Sequence, residues 1–377
     1  MSKSAFVGAA LFAFPCLASE AVLIQQVYDQ ATAYFAPLPT PQELLLENDY
    51  SADMVDLGRH LFFDTRMSEA EDISCASCHD LTLGGSDGRP TSIGRDDRFG
   101  ARNAPTVLNA ALNIDQFWDA RAPNLVEQVK GHVLNPIDMA HTQASLFQTL
   151  QDIPGYVLRF NSAFPNDAEP LGLNNFATAV AAFETTLITP SRFDDFVAGD
   201  TSALTLDEIF GMQVFFDLGC AECHNGVNLG GNSQNYFGIV AEPSNTHRPK
   251  DDTGVSAVTG NIHDEYLFRV PSLRNIAITG PYFHSGSADT LAEAVQVMAK
   301  VQLGSEINAN DLEFLLAFLN TLTGEIPDVM IPNRFSRSPQ DPPISQDPST
   351  LTQNLLLPRA PAGRNPFVGI ILDDQSQ

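Results

Sequence analysis

The sequence predicts an all-α fold with two domains, on three observations. Apolar residues recur at helical spacing in five stretches, whereas strand-like alternation is scarce. The chain has 377 residues, enough for two cores, because domains usually contain roughly 100 to 200 residues. With 44% hydrophobic and 18% charged residues, it is also too apolar to be disordered. The five helical stretches are 21–35, 176–187, 206–216, 291–303 and 311–322.

The first 18 residues have the pattern of a cleaved secretory signal. One early charge, Lys3, precedes an apolar run over residues 5–17, which is too short to span a membrane. Small residues then precede a polar Ser19-Glu20. We expect cleavage after Ala18, with lipidation of Cys16 as the alternative, and export of the remaining chain to the periplasm. No later segment reaches about 18 uninterrupted apolar residues, so no membrane span is expected.

The charge balance restricts the class of partner. The chain contains 46 acidic and 20 basic residues, which gives a net charge of -26. Such a surface repels nucleic acid and anionic lipid and favours a neutral or basic partner.

The four cysteines after Cys16 all lie in two copies of one pattern. Thiols three residues apart lie on one face of a helical turn, so each can form a thioether with one vinyl group of a haem. The imidazole of the next residue can then bind the iron. The pattern predicts one c-type haem at each copy, which are Cys75-Ala-Ser-Cys78-His79 and Cys220-Ala-Glu-Cys223-His224.

Two other uses of such cysteine pairs fit less well. A zinc ribbon places its two pairs within about 15 to 20 residues of each other, and these pairs lie much further apart. A thioredoxin-type redox pair requires a βαβ context, and the sequence contains no such alternation.

The positions of the motifs suggest the domain organisation. Thr189-Pro190-Ser191 closes one helical stretch, which places a boundary near residue 190. We expect a signal peptide (1–18), an N-terminal haem domain (19–190) and a C-terminal haem domain (191–326). A Pro-rich extension follows (327–377), in which nine of the 25 prolines fall, and we expect it to run over the surface or be disordered.

Several longer strings flank the two motifs between residues 21 and 328. By these strings the chain resembles the bacterial di-haem cytochrome c peroxidases, a family that includes the MauG-type enzymes. The resemblance implies two cytochrome c-like domains, each with one covalent haem, in an enzyme that reduces hydrogen peroxide. The strings include Leu57-Gly-Arg-His-Leu-Phe-Phe-Asp-Thr-Arg, Asn103-Ala-Pro-Thr-Val-Leu-Asn, Gln116-Phe-Trp-Asp-Ala-Arg, Asn135-Pro-Ile-Asp-Met, Val270-Pro-Ser-Leu-Arg-Asn and Pro281-Tyr-Phe-His-Ser-Gly.

The resemblance also implies a division of labour between the haems. The haem on His79 would react with peroxide, and the haem on His224 would receive electrons and carry a Met ligand. The matching residue is Met298, on a helix that the box Thr290-Leu-Ala-Glu293 begins. A thioether ligand raises the reduction potential, which suits electron entry. From its spacing alone, Met298 would be a core methionine.

Three residues match the family's catalytic positions. Gln128 and Asp138 correspond to a Gln and a Glu that position and protonate peroxide, and Asp shortens that arm by one methylene. From the residues alone, Asp138 could equally be a solvated loop carboxylate. Trp118, the single tryptophan, corresponds to a residue between the haems that serves electron transfer, and a packing role at the domain interface is compatible with this.

Arg95 is the most informative departure from the family. Many relatives have His at this position, where it caps the peroxidatic iron, and a protonated Arg cannot be a ligand. We therefore hypothesise an open iron on His79, with Arg95 either polarising peroxide or lying on the surface. The alternative is that His132 or His141, which flank the segment from Gln128 to Asp138, act as ligands.

The resemblance further implies a calcium ion between the domains, an electron donor and a homodimer. The matching calcium ligands are the Asn103 side chain and the carbonyls of Thr279 and Pro281. The donor would be a small cytochrome c or a cupredoxin, and the acidic surface favours one with a basic patch.

Two other functions stay open. A MauG-like oxidase would act on a partner protein. The resemblance implies that those enzymes have Tyr where this chain has Met298, so Met298 argues against this function. A non-catalytic di-haem electron carrier is also compatible with the two motifs. Gln128 and Asp138 favour an enzyme with a reactive haem iron over a carrier in which protein ligands occupy both sides of each iron.

Overall fold

The computed structural model of the chain describes residues 14–337, and its side chains from residue 19 onward. Residues 1–13 of the expected signal peptide and residues 338–377 of the expected Pro-rich extension lie outside the described residues. Among the helices of residues 14–337, none combines the length and apolar character that a bilayer crossing requires.

Helices dominate the described part of the chain, so the prediction of a mostly helical fold is confirmed. The helices are α1 (Phe14–Tyr34), α2 (Pro41–Glu47), α3 (Ala52–Phe63), α4 (Cys75–Cys78), α5 (Leu125–Leu134), α6 (Gln143–Gln151), α7 (Pro154–Ala163), α8 (Leu173–Glu184), α9 (Arg192–Val197), α10 (Leu206–Asp217), α11 (Ser256–Thr259), α12 (Leu291–Leu303) and α13 (Ala309–Thr321).

A small antiparallel sheet was not predicted from the sequence. Strand β1 (Gln234–Tyr236) pairs with β2 (Leu267–Arg269), and Asn235 lies opposite Phe268. Strands of three residues are too short to give a measurable alternation of apolar and polar side chains.

Polar side chains fix where the long helices of the second half begin. The Thr205 side chain accepts a hydrogen bond from the Glu208 backbone N–H, and the Glu208 carboxylate accepts one from the Thr205 N–H at 2.7 Å. Thr290 caps α12 by accepting from the Glu293 N–H at 3.2 Å. Caps of this kind stabilise a helix by about 1 kcal/mol each. The cap at Thr290 matters for the site, because α12 carries Met298.

The first core forms where α3 packs on α8. Leu57 and Leu61 are fully buried against Phe176 and Phe183. The two helices approach so closely that a Cβ built on Gly58 would lie 1.8 Å from the Ala179 carbonyl oxygen. This core also supports α5, the helix that carries Gln128.

A second core joins α1, α9, α10 and α13. Val27 and Phe35 of the N-terminal segment are buried against Phe193 and Phe215. The division near residue 190 and the domain ranges remain proposals. The N-terminal helix, which was predicted to belong to the first domain, packs with the second core instead. Helical periodicity reveals an apolar face but not the surface that covers it.

The start of the C-terminal extension lies on the first core. We call residues 329–337 the C-terminal strap. The Phe335 ring stacks on His60 at 4.3 Å between ring centroids, and the Met330 carbonyl accepts from Arg59 Nη1 at 2.7 Å. Gly155 leaves space for this ring, since a Cβ there would lie 2.6 Å from Phe335 Cγ.

Candidate functional site

The first cysteine motif folds as one helical turn, α4, that presents His79 just after it. The Nδ1 atom of His79 lies 3.2 Å from the Gly85 carbonyl oxygen, which can only accept a hydrogen bond. Burial lowers the pKa of His79 to about 4, so the ring is neutral at pH 7. With Nδ1 protonated, Nε2 carries the lone pair that an iron requires.

The second motif repeats this arrangement. His224 Nδ1 lies 3.3 Å from the Leu229 carbonyl oxygen, and burial lowers the pKa of His224 to about 4. Cys223 Sγ accepts a hydrogen bond from Asn235 Nδ2 at 3.3 Å. Both histidines are therefore oriented by backbone carbonyls in the tautomer that suits a proximal haem ligand.

The four thiols of the motifs are free, and burial keeps three of them protonated. Burial raises the pKa of Cys78 to about 11 and that of Cys220 to about 12, and it also raises the pKa of Cys75. A protonated thiol is a poor nucleophile for disulfide exchange. These cysteines therefore suit covalent attachment sites better than a redox-active pair.

A large cavity borders the second motif. Cys220, Cys223 and His224 line it together with Met298 of α12, and most of the remaining wall is apolar. Two thiols, an imidazole and a thioether around one apolar cavity are the donor set of a c-type haem with a Met ligand. The residues present fit that group.

The polar side of the first site is built by α5 and the loop after it. Gln128 and His132 lie one turn apart on α5 and so share a face. Gln128 Oε1 is buried and has no hydrogen-bond partner in the described part of the chain. Asp138 Oδ2 lies 3.0 Å from His132 Nδ1 and accepts from Asn135 Nδ2 at 2.8 Å. The structure thus groups Asp138 with His132, a pairing that was not predicted from the sequence.

The imidazole of His132 also lies close to that of His79. Their ring centroids are 6.3 Å apart and their planes make an angle of 74°. The spacing of Gln128 and His132 by four residues was the available signal for placing His132 in this site. His141, the other histidine considered, is buried, with Nδ1 3.0 Å from Ser145 Oγ and Nε2 3.4 Å from the Arg66 carbonyl oxygen.

Arg95 borders the same segment through its backbone. Its N–H donates to the Ile137 carbonyl at 2.8 Å, so the loop that carries Arg95 is held against the loop that carries Asp138. Its guanidinium forms an ion pair with Glu69 and lies 3.6 Å from the carboxylate of Asp96. The Arg95 side chain is thus occupied by carboxylates, and its catalytic role remains a prediction.

Two consecutive aromatic residues join the two sites. Trp118 lines the second cavity, and its indole N–H donates to the Asn103 carbonyl at 3.0 Å. The ring of Phe117 lies 5.0 Å from that of His132, between centroids. Phe117 adopts a φ of 66°, which is uncommon for a bulky residue. Phe117 was not singled out from the sequence, because nothing in a lone Phe distinguishes it from core packing.

Behind Trp118 lies a buried histidine. The His284 ring stacks on Phe268 at 4.2 Å and lies 6.2 Å from the Trp118 ring, between centroids. Burial lowers the pKa of His284 to about 4 even though Asp252 is 3.7 Å away. A neutral ring at this position packs against Trp118 and holds its orientation.

The three expected calcium ligands border the second cavity. Asn103, Thr279 and Pro281 all line it. Asn103 Nδ2 donates to the Arg89 carbonyl at 2.8 Å, which orients the amide oxygen as the free acceptor. Oxygen donors of this type suit calcium. Across residues 14–337, no three His, Cys, Asp or Glu side chains come together as a metal site.

The fold is mostly helical and carries two such motifs. His132 and Asp138 lie beside the first motif, and Met298 lies beside the second. These features are typical of a di-haem c-type cytochrome of the peroxidase type. Residues 52–202 match the family described as di-haem cytochrome c peroxidase. The chain is 43% identical over 322 residues to the cytochrome c551 peroxidase of Pseudomonas aeruginosa, across 85% of this chain and 92% of the relative. It is 44% identical over 297 residues to the cytochrome c551 peroxidase of Nitrosomonas europaea, across 78% and 87%.

A solved structure supports the same assignment. A MauG-like protein associated with microbial copper homeostasis superposes with a TM-score of 0.67 at 28% identity, across 77% of this chain and 93% of that chain. The chain belongs to the di-haem cytochrome c peroxidase family, and the prediction of that family is confirmed. Membership implies two c-type haems.

Proposed function

We propose that the protein is a cytochrome c peroxidase that reduces hydrogen peroxide to water. Each turnover consumes one hydrogen peroxide, two electrons and two protons and releases two waters. The observation that carries the proposal is His132, which contacts both His79 and Asp138 and shares its helix with Gln128, in a chain 43% identical to a cytochrome c551 peroxidase.

The chain's own residues would hold the two haems. Cys75 and Cys78 would bind the first covalently and His79 would ligate it, while Cys220, Cys223, His224 and Met298 would hold the second. Bound haem supplies the redox-active iron for peroxide reduction and electron storage.

Gln128 and Asp138 would bind and protonate peroxide. The unpartnered Gln128 amide oxygen can accept a hydrogen bond from a peroxide O–H. The Asp138 carboxylate can move a proton from one peroxide oxygen to the other, which is the task of a general acid and base. Asn135 donates to the carboxylate and holds it in place.

Electrons would enter at the second site and cross to the first. Met298 and His224 border the entry cavity, and Trp118 lines the same cavity. Phe117, the next residue, contacts His132 at the first site. This dipeptide supplies a short covalent and aromatic connection between the two sites.

The partners and location form part of the proposal. The donor is a small cytochrome c or a cupredoxin with a basic patch, because the chain carries a net charge of -26. The predicted signal peptide (1–18) supports a periplasmic location. The oxygen donors of Asn103, Thr279 and Pro281 would bind calcium, and the family resemblance supports a homodimer.

A MauG-like oxidase that acts on a partner protein is the second candidate, supported by the structural similarity to a MauG-like protein. Met298 beside the second cavity favours the peroxidase, because it would supply the ligand of an electron-entry haem.

An assay with separately reduced donor tests the proposal. The holoprotein, produced in a host that attaches c-type haem, is mixed with reduced cytochrome c and hydrogen peroxide. We expect two cytochromes to be oxidised per peroxide consumed. Normal haem content without peroxide-dependent oxidation, with both a cytochrome and a cupredoxin as donor, would contradict the proposal.

A further inference from the structure

The imidazoles of His79 and His132 lie at the first haem site, and in both rings Nε2 is the nitrogen that could bind a metal. His79 Nδ1 lies 3.2 Å from the Gly85 carbonyl oxygen, and His132 Nδ1 lies 3.0 Å from an oxygen of the Asp138 carboxyl group. A hydrogen bond that Nδ1 donates to its neighbouring oxygen places the lone pair of that ring on Nε2.

The separation of these rings matches two ligands of one metal. Because a metal–imidazole bond is about 2 Å long, two imidazoles on opposite sides of one metal have ring centres roughly 6 Å apart. The His79 and His132 centroids are 6.3 Å apart. A base that contacts a bound peroxide through a hydrogen bond of about 3 Å would lie further from His79 than His132 does, because the peroxide would lie between that base and the metal.

The other candidate side chains are engaged elsewhere. Arg95 remains protonated and its guanidinium pairs with Glu69. His141 has contacts with Ser145 and the Arg66 carbonyl at its two ring nitrogens. The His132 ring, in contrast, lies 6.3 Å from the His79 ring, between centroids.

We infer that His132 is the sixth ligand of the first haem iron in the oxidised protein, at a position different from the one that Arg95 occupies. This inference deepens the proposed function and rests on haem binding at His79. Peroxide binding at this site would then require the His132 side chain to move away. The same movement would break the contact between His132 and Asp138 and would make the Asp138 carboxyl group available for proton transfer.

Electron paramagnetic resonance of the fully oxidised holoprotein tests this assignment without turnover. We expect two low-spin ferric haems in the parent protein. In His132→Ala the first haem becomes high-spin, while the signal of the second haem, ligated by His224 and Met298, is unchanged. Added imidazole returns the first haem of that variant to low spin.

Two further variants keep the test decisive. His132→Gln retains an amide that can donate to Asp138 and so preserves the local fold, yet it cannot bind iron through an imidazole; it should also become high-spin. His263→Ala removes an exposed histidine and should leave both signals unchanged. A high-spin first haem in the parent protein, or two low-spin haems in His132→Gln, would overturn the inference.

The proposed function can fail independently. Low-spin spectra that respond to His132 but no peroxide reduction would leave the ligand assignment intact and refute the peroxidase. Peroxide reduction by a protein whose first haem is high-spin as isolated would support the peroxidase and refute the assignment of His132 as a ligand.

Discussion

Asp138 is the residue at which the polar groups of the first site meet. Its carboxylate accepts from Asn135 and lies 3.0 Å from His132 Nδ1. A carboxylate held by two neighbours has a defined orientation, which general acid and base catalysis requires. Asp138 stands where the family resemblance implies a Glu, and its side chain is shorter by one methylene. The position of its carboxylate therefore depends on these contacts.

Removing the Asp138 charge should slow peroxide reduction. We expect Asp138→Asn to lower kcat/KM for peroxide by about 10²- to 10⁴-fold, because a positioned acid or base contributes that much. Asp138→Glu should recover most of the loss, and Glu313→Gln, at an exposed helical position, should have no effect. A kcat/KM within about twofold of the parent in Asp138→Asn would exclude the proton-transfer role.

Glu184 is a buried acid whose charge disfavours folding. Burial raises the pKa of Glu184 from 4.5 to about 8, and its Oε2 atom has no hydrogen-bond partner among residues 14–337. The folded state therefore holds a proton that the unfolded state releases. The stability that neutral Glu184 contributes is complete below pH 4.5 and is lost as the pH rises toward about 8.

Glu184→Gln should become progressively more stable than the parent across that pH interval. The neutral amide has no proton to lose, so its advantage grows with pH. Denaturant unfolding at several pH values measures the difference, with Glu313→Gln as the exposed control. An advantage of the Gln variant that stays constant with pH would mean that Glu184 does not titrate in this interval.

At the scale of elements, the C-terminal strap closes the first core. Phe335 lies between His60, Tyr156 and Arg159 and is 6% exposed. An aromatic ring buried on several sides contributes to stability both by leaving water and by filling space. The start of the C-terminal extension is thus an integral part of this core.

Phe335→Ala should lower the free energy of unfolding by about 3 to 5 kcal/mol, the usual cost of removing a buried ring. Phe99→Ala is the matched control, since Phe99 is 70% exposed. Both would be measured by denaturant unfolding of the holoprotein. Equal, small effects of the two substitutions would show that the strap does not support the core.

At the scale of the whole molecule, the net charge of -26 acts on the donor before any contact forms. Opposite charges accelerate encounter, and salt screens them over about 10 Å at 0.1 M ionic strength. With a basic cytochrome as donor, kcat/KM for the donor should fall as salt rises. An uncharged chemical reductant serves as the control, and an equal decline with both would remove the electrostatic explanation.

The sequence was most informative where chemistry demands a fixed spacing. The Cys-x-x-Cys-His motifs predicted the candidate haem-attachment residues and the helical stretches predicted the mostly helical fold, because each depends on neighbours in the chain. The capping residue Thr290 marked the start of the helix that carries Met298.

The sequence was least informative about contacts between distant segments. The packing of α1 on the second core and of Phe335 on the first depends on surfaces that no local pattern encodes. The approach of His132 to His79 joins residues 53 positions apart through the placement of α5. Such a pairing follows from tertiary packing, so the spacing could only suggest which helix face His132 occupies.

Titration of the fully reduced holoprotein with hydrogen peroxide tests the central claim most directly. Two haem sites that cooperate in one reaction store two electrons, and each peroxide consumes two. We predict that one mole of peroxide per mole of protein reoxidises both haems, followed by their absorption spectra. Reoxidation of one haem while the other stays reduced, or no reoxidation at all, would contradict the account.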